Sequence, residues 1–257
     1  MTEPVVSPRA VGLAAWAPRS VPGIGRTLSP AQELAIALRH LDDVGWCENL
    51  TGHITYQQGE RFLVNPWGLW WAETRASDIL TIDADGVVVD GALDVTPAVH
   101  IHTELHRRRP DAVVVVHNHP PYASALAAVG ELPDLVHQNS SILSGELVLV
   151  ADYDGEVDAP FLGAELASRI GDASVALLVS HGVIVTAPTM AEAVYKSVLF
   201  ERTCKLHLLV RALDRVPVPI AAAHQQQLKA SLVERAAPVY WNGAARALLA
   251  REPEVTQ

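Results

Sequence analysis

Cysteine is scarce. Only Cys47 and Cys204 occur in 257 residues, too few for the disulfide framework of a small secreted domain, so the chain reads as cytoplasmic with reduced thiols. Long apolar runs are missing too. The longest, such as 174–179 and 183–187, are interrupted by Ser180-His181-Gly182, and neither approaches the roughly 20 residues of a membrane-spanning helix. The N-terminus has no basic start followed by an apolar core, so no signal peptide is expected. Basic stretches are absent as well: 19 Lys and Arg face 29 Asp and Glu, for a net charge of −10. Nucleic acid and anionic membrane are therefore not expected partners. The densest basic patch, Arg107-Arg108-Arg109, suits a solvated helix end. No glycine-rich dinucleotide loop and no phosphate loop occurs, which argues against a nucleotide cofactor.

What is present fits one globular α/β domain: 49% apolar and 19% charged residues, with no internal linker. Residues 1–26, rich in Pro, Gly, Ala and Ser, read as a flexible arm. Residues 27–222 form the domain, and 223–257 a partly helical tail expected to pack on a neighbouring subunit. Ser29-Pro30-Ala31-Gln32 announces a helix: Ser29 caps, Pro30 suits the first position and Gln32 closes the box. Leu34, Ala37, Leu38 and Leu41 give it an apolar face. Strands are expected at 52–56, 61–65, 79–82, 86–89, 113–116, 147–150, 175–179 and 183–186. Asp85-Gly86 marks a hairpin between two of them. Helices are expected from Thr96-Pro97 to about Arg109, near 122–129, near 160–170, and from Thr189 to about Leu213.

The chemistry sits where the strands end. Val113-Val114-Val115-Val116 is a buried strand that runs into His117-Asn118-His119-Pro120. Alternate residues of an extended chain share a face, so His117 and His119 aim at one spot. A second strand, Val175–Val179, ends in Ser180-His181-Gly182. Three neutral imidazoles at neighbouring strand ends suit zinc, manganese, iron or cobalt and leave positions open for a substrate.

With these blocks the chain resembles the class II aldolase and adducin family over roughly residues 30–215. The resemblance runs through Leu50-Thr51-Gly52-His53-Ile54-Thr55, Val64-Asn65-Pro66-Trp67-Gly68-Leu69, Ala76-Ser77-Asp78-Ile79-Leu80-Thr81-Ile82-Asp83 and Arg109-Pro110-Asp111-Ala112. It continues in His117-Asn118-His119, Val179-Ser180-His181-Gly182-Val183, Ala191-Glu192-Ala193 and Leu199-Phe200-Glu201-Arg202. It implies a single-domain α/β/α fold with a central, mainly antiparallel sheet, and a cyclic homotetramer with active sites at subunit interfaces. It carries the metal ligands onto His117, His119 and His181. It carries substrate-holding loops onto Thr51, Gly52 and His53, and onto Asn65, Trp67 and Gly68.

The sequence also departs from the sugar-phosphate aldolases of that family. Their acid/base glutamate falls, by counting back from Arg109-Pro110-Asp111, on Ala98, which cannot move protons. The same helix carries His100, His102, Glu104 and His106. Ala98, His102 and His106 form one stripe, so His102 is the expected proton donor or acceptor, or else a histidine buried against the sheet. Glu104 reads as solvated and His106 as surface. His53 replaces the usual asparagine. Trp67 suits a flat or apolar substrate, or else core or interface, and Trp70 and Trp71 suit core or interface. Tyr240 either reaches a neighbouring site or packs beside Trp241. These departures favour a metal-dependent decarboxylase of a hydroxylated aromatic or heteroaromatic (di)carboxylic acid. The alternatives are retro-aldol cleavage of a non-phosphorylated hydroxy-carbonyl compound, a ferrous-iron oxygenase and a non-enzymatic adducin-like scaffold.

Overall fold

A computed structural model describes residues 21–48, 50–152, 155–218 and 220–257. Residues 1–20 of the expected arm lie outside the described residues. Arg26 donates to the Thr256 hydroxyl at 3.1 Å and Arg246 donates to the Pro22 carbonyl, so the stretch from 21 to 26 is tied to the C-terminal elements.

Helix α1 (Pro30–Asp43) starts on the expected capping box, with the Ser29 hydroxyl accepting from the Gln32 amide and the Gln32 side chain accepting from the Ser29 amide. Leu34, Ala37, Leu38 and Leu41 are all fully buried. Strands β1 (His53–Gln58), β2 (Arg61–Val64), β3 (Leu80–Ile82) and β4 (Val88–Asp90) form a meander, with Asp85-Gly86 in its last turn. Pro97–Val99 is a short 3-10 turn whose Thr96 hydroxyl accepts from the Ala98 amide, and it leads into α2 (His100–Arg108). Then follow β5 (Val114–Asn118), α3 (Pro121–Val129), β6 (Leu147–Val150), α4 (Pro160–Ile170), β7 (Val175–Leu178), β8 (Val183–Ala187) and α5 (Met190–Ala212).

The eight strands form one sheet in the order β4-β3-β2-β1-β5-β8-β7-β6. Every pair is antiparallel except β6 with β7, which are joined through α4. Both faces of the sheet are covered. Ile54, Val114, Val116, Val183 and Val185 face the core built on α1, α3 and α5. Val115, Ala176, Leu178 and Ile184 face α2 and α4. This three-layer α/β/α arrangement with a mainly antiparallel sheet is the expected one. Two covered faces explain the unbroken β-branched run of β5: all five of its residues are buried.

Two expectations are corrected here. His106 and Glu104 are buried, not surface residues, because α2 is held between the sheet and α4. The His106 ring stacks on Phe62, with centroids 4.5 Å apart. Arg107 and Arg108 are exposed, but Arg109 is buried, donating to the Asp111 carboxylate and to the Ala173 carbonyl. The tail, α6 (Ala222–Ser231), a π-helical turn and α7 (Ala237–Arg251), is seated on its own chain. Trp241, Ala245, Leu248 and Val255 join the main core, and buried Arg39 of α1 bonds Glu252 and Glu254. No described helix is long and apolar enough to cross a membrane.

Candidate metal centre

The sheet register brings the three strand-end histidines together. In the β5–β8 pair His117 lies opposite Ile184, so the end of β5 stands beside the β7–β8 hairpin. That hairpin turns through Ser180 at φ 58°, a left-handed conformation rare for a non-glycine residue. The His181 amide donates to the Leu178 carbonyl and the Leu178 amide to the Gly182 carbonyl, which closes the turn. Ring centroids are 5.1 Å apart for His117 and His119, 4.8 Å for His117 and His181, and 4.9 Å for His119 and His181. One nitrogen from each ring lies within 4.8 Å of the other two, close enough for one ion to meet all three after small ring rotations.

The hydrogen bonds behind these rings fit a metal. His117 Nδ1–H donates to the Val183 carbonyl at 3.0 Å, and His119 Nδ1 meets the Glu48 carboxylate at 2.9 Å. A carbonyl and a carboxylate only accept, so both Nδ1 atoms carry hydrogen and both Nε2 atoms present lone pairs, as a metal requires. Among the described residues, the buried His119 Nε2 has no hydrogen-bond partner. Burial, followed by the neighbouring imidazoles, holds His117 well below the usual histidine range and brings His181 down to about 4. Neutral imidazole is the ligating form.

Asn118, between the two ligand candidates on β5, points to the opposite face and latches the loop before β1. It is fully buried. Its Oδ1 accepts from the Glu48 amide at 3.1 Å and the His119 amide at 2.7 Å, and its Nδ2 donates to the Thr51 carbonyl at 2.9 Å. The loop therefore lies against β5 with Glu48 under His119. The fit requires two glycines. A Cβ on Gly52, at φ +88°, would stand 2.5 Å from the Asn118 amide nitrogen. One on Gly182 would stand 2.4 Å from His119 Cδ2. Residues Cys47, Glu48, His119, Pro121, Ser124 and His181 line an open cleft of about 520 Å³ at the triad.

His53 lies across from His117 in the β1–β5 register, with ring centroids 5.1 Å apart. It stands outside the triad of mutually close nitrogens. His53 Nδ1 meets His102 Nε2 at 2.8 Å, and burial, then His181 and His119, brings His53 down to about 3. Of the two readings expected of His102, the structure matches the histidine buried against the sheet. It is fully buried on α2 with both ring nitrogens engaged, by His53 and by the Thr55 hydroxyl at 2.8 Å.

The other expected residues divide. Thr51 and Gly52 lie beside the triad and are held by their backbones. The Thr51 carbonyl accepts from Asn118, and the Gly52 carbonyl accepts from Asn65 at 3.4 Å and from the Trp71 indole at 3.3 Å. Asn65 is buried, its Oδ1 accepting from the Ile54 amide at 2.8 Å, so it ties the two loops together. Trp71 is fully buried and stacks on Trp46, whereas Trp67 and Trp70 are 55% and 51% exposed. Trp67 and Gly68 do not line the cleft at the triad. Tyr240 lies tilted against Tyr195, with ring centroids 5.1 Å apart, and shares a 2.9 Å hydrogen bond with His40 of α1, on the core side of its own protomer.

Glu48 and Asn118 are functional candidates that reading the sequence missed. Asn118 had a signal, since alternation on a strand sends the middle of His-Asn-His to the far face. Glu48 had none, because only the folded loop brings it to His119.

A sequence profile of the Class II Aldolase and Adducin N-terminal domain matches residues 32–208. A 4-hydroxy-3-prenylphenylpyruvate oxygenase/4-hydroxy-3-prenylbenzoate synthase of Streptomyces roseochromogenus subsp. oscitans is 30% identical over 86% of this chain and 82% of its own length. A 3,4-dihydroxyphthalate decarboxylase of Arthrobacter keyseri is 32% identical over 73% of this chain and 83% of its own. An adducin-related protein of Schizosaccharomyces pombe is 33% identical over 63% of this chain, which spans only 53% of that protein. Among solved structures, an L-fuculose 1-phosphate aldolase from Glaciozyma antarctica PI12 superposes with a TM-score of 0.77 at 22% identity, over 88% of this chain and 91% of that one, a likeness of fold.

Proposed function

This chain belongs to the class II aldolase and adducin family, and from that premise we propose that it is a divalent-metal-dependent carbon–carbon lyase, a decarboxylase of a hydroxylated aromatic or heteroaromatic carboxylic acid. The observation that carries the metal half of the reading is the convergence of His117, His119 and His181, two of them with Nδ1 committed to an acceptor. The substrate half is supported by Ala98 at the position of the aldolase glutamate, and by relatives whose names specify hydroxylated aromatic acids.

His117, His119 and His181 would hold zinc, manganese, iron or cobalt through neutral nitrogens, with Glu48 and the Val183 carbonyl fixing two of the rings. Such an ion supplies Lewis-acid stabilisation of the negative charge that gathers on a substrate oxygen as carbon dioxide leaves. His53, beside the triad, takes the proton of the substrate hydroxyl on a ring nitrogen and gives it to the ring carbon bearing the carboxylate. The bond to the carboxyl carbon then breaks, and its electron pair returns to the ring. The substrate monoanion becomes a phenolate and carbon dioxide, so protons and charge balance without an oxidant. Thr51 and Gly52 precede His53 in the loop that Asn118 and Asn65 hold beside the triad. Trp67, Gly68 and Tyr240 would act only if a neighbouring subunit faces them, as in a homotetramer with interfacial sites in the cytoplasm.

Elemental analysis of the purified protein, with His117→Ala and His181→Ala, tests the centre. About one transition metal per chain, lost in both variants, is expected, followed by carbon dioxide release from hydroxylated aromatic acids. No metal after reloading with zinc, manganese or ferrous iron would leave a scaffold in the manner of the adducin-related relative. Cleavage of a hydroxy-carbonyl compound without carbon dioxide release would make the enzyme an aldolase. A second reading, ferrous-iron oxygen chemistry, is favoured by the oxygenase relative that matches 86% of this chain, and stoichiometric oxygen consumption would establish it.

A further inference from the structure

Behind His53 a hydrogen-bonded chain runs through the layer between the sheet and α2. His53 Nδ1 meets His102 Nε2 at 2.8 Å. His102 Nδ1 meets the Thr55 hydroxyl at 2.8 Å, and that hydroxyl meets His106 Nε2 at 2.7 Å. His106 Nδ1 ends the chain on the Ala112 carbonyl at 2.5 Å. All four side chains are buried. Burial brings His106 down to about 4 and holds His102 well below the usual histidine range, so both rings are neutral near pH 7.

One end of this chain has no choice of direction. A carbonyl only accepts, so His106 Nδ1 carries the hydrogen and, in a neutral ring, His106 Nε2 accepts. Thr55 has a single hydroxyl hydrogen and must spend it on His106. The Thr55 oxygen then accepts from His102 Nδ1–H, which leaves His102 Nε2 an acceptor. His53 must therefore donate through Nδ1, and its other nitrogen, Nε2, is a bare lone pair.

We infer that Thr55 and His106 are positioning residues that lock His53 as its Nδ1–H tautomer, so that Nε2 accepts a hydrogen bond from a free substrate hydroxyl and selects hydroxy acids over their ethers. The inference rests on the hydroxy-acid reading of this centre and names its specificity determinant. A site built to pair with a substrate O–H rejects the analogue lacking it, because the protein's acceptor is left unpaired. An asparagine at position 53 could turn its amide to donate or accept. A ring held by this chain can only accept.

The tautomer is measured first, without substrate, by long-range proton–nitrogen correlation spectra of the zinc-loaded protein. Wild type and Thr55→Ser are expected to show hydrogen on His53 Nδ1. Thr55→Val, isosteric but without the hydroxyl, is expected to show a mixture at His53. Calorimetry then compares 2-hydroxybenzoate with 2-methoxybenzoate. The hydroxy acid is expected to bind at least tenfold tighter to wild type and Thr55→Ser, with that preference falling severalfold in Thr55→Val. Hydrogen on His53 Nε2 in the wild type, binding of neither acid, equal affinities, or a preference that survives Thr55→Val would overturn the proposal. A correct tautomer and preference without carbon dioxide release would instead count against the decarboxylase reading alone.

Discussion

Removing the Glu48 carboxylate separates metal binding from folding. Glu48 meets the centre at His119 Nδ1, at 2.9 Å, and its side chain is 55% exposed. Its loop is latched by backbone, the Glu48 amide donating to Asn118 and the Thr51 hydroxyl donating to the Glu48 carbonyl, so truncating the side chain leaves the latch in place. An exposed pair of this kind contributes about 0–1 kcal/mol to folding. Its effect on a ligated imidazole is larger, since losing a partner behind a metal-bound histidine typically weakens binding about 10–100-fold, or about 1.4–2.7 kcal/mol. Glu48→Ala should therefore bind zinc about 10–100-fold more weakly in competition with a chromogenic chelator. Glu48→Gln, which keeps an acceptor but not the charge, should fall between it and wild type. Metal-free unfolding midpoints should stay close to wild type in both. Zinc affinity within twofold of wild type in Glu48→Ala would refute the assigned role.

Three further perturbations probe the same frame. Asn118→Ala leaves two amides and a carbonyl without their partner in part-buried positions, where each unsatisfied group costs about 1 kcal/mol, the low end of the buried range. Urea unfolding should show a loss of about 3 kcal/mol together with weaker zinc binding. Gly182→Ala sets a methyl group against His119 Cδ2 and the Asn118 carbonyl, so metal content should fall by more than half while circular dichroism keeps the wild-type fold. The third concerns pH. His106 is buried and brought down to about 4 from 6.5, chiefly by desolvation, so the unfolded chain binds a proton there more readily than the folded one. Its contribution is complete above about pH 6.5 and is lost as pH falls toward 4. Metal-free protein should therefore lose a few kcal/mol over that window in urea titrations, and His106→Gln should flatten the slope.

The sheet and its helices were legible because their signals are local. Ser29, Asp85-Gly86 and Thr96-Pro97 each announce a cap or turn that the chain adopts. The triad was legible because strand ends and alternation decide where His117, His119 and His181 point. What surrounds it was not. Glu104 and His106 read as solvated because polar residues usually are. Only the approach of α4 and the stacking of Phe62 bury them. His102 shares a helical stripe with His106, and Thr55 follows His53 at strand spacing, so half of the relay was visible on each element. Nothing local states that the two stripes meet face to face.

That meeting makes the pairing of β1 with β5 a checking device. His53 and Thr55 turn one way from β1 and Ile54 turns the other, into the main core. A slip of one residue would exchange those faces. Ile54 would then face the imidazoles of α2, while His53 and Thr55 would enter the aliphatic layer under α1 with no acceptors in reach. Such a chain would lose both packing and relay, so a well-packed but inert misregister has no place to rest. Changes of length belong in the outer turns, such as Asp85-Gly86, and inserting one residue between Thr51 and Thr55 should cost folding as well as activity.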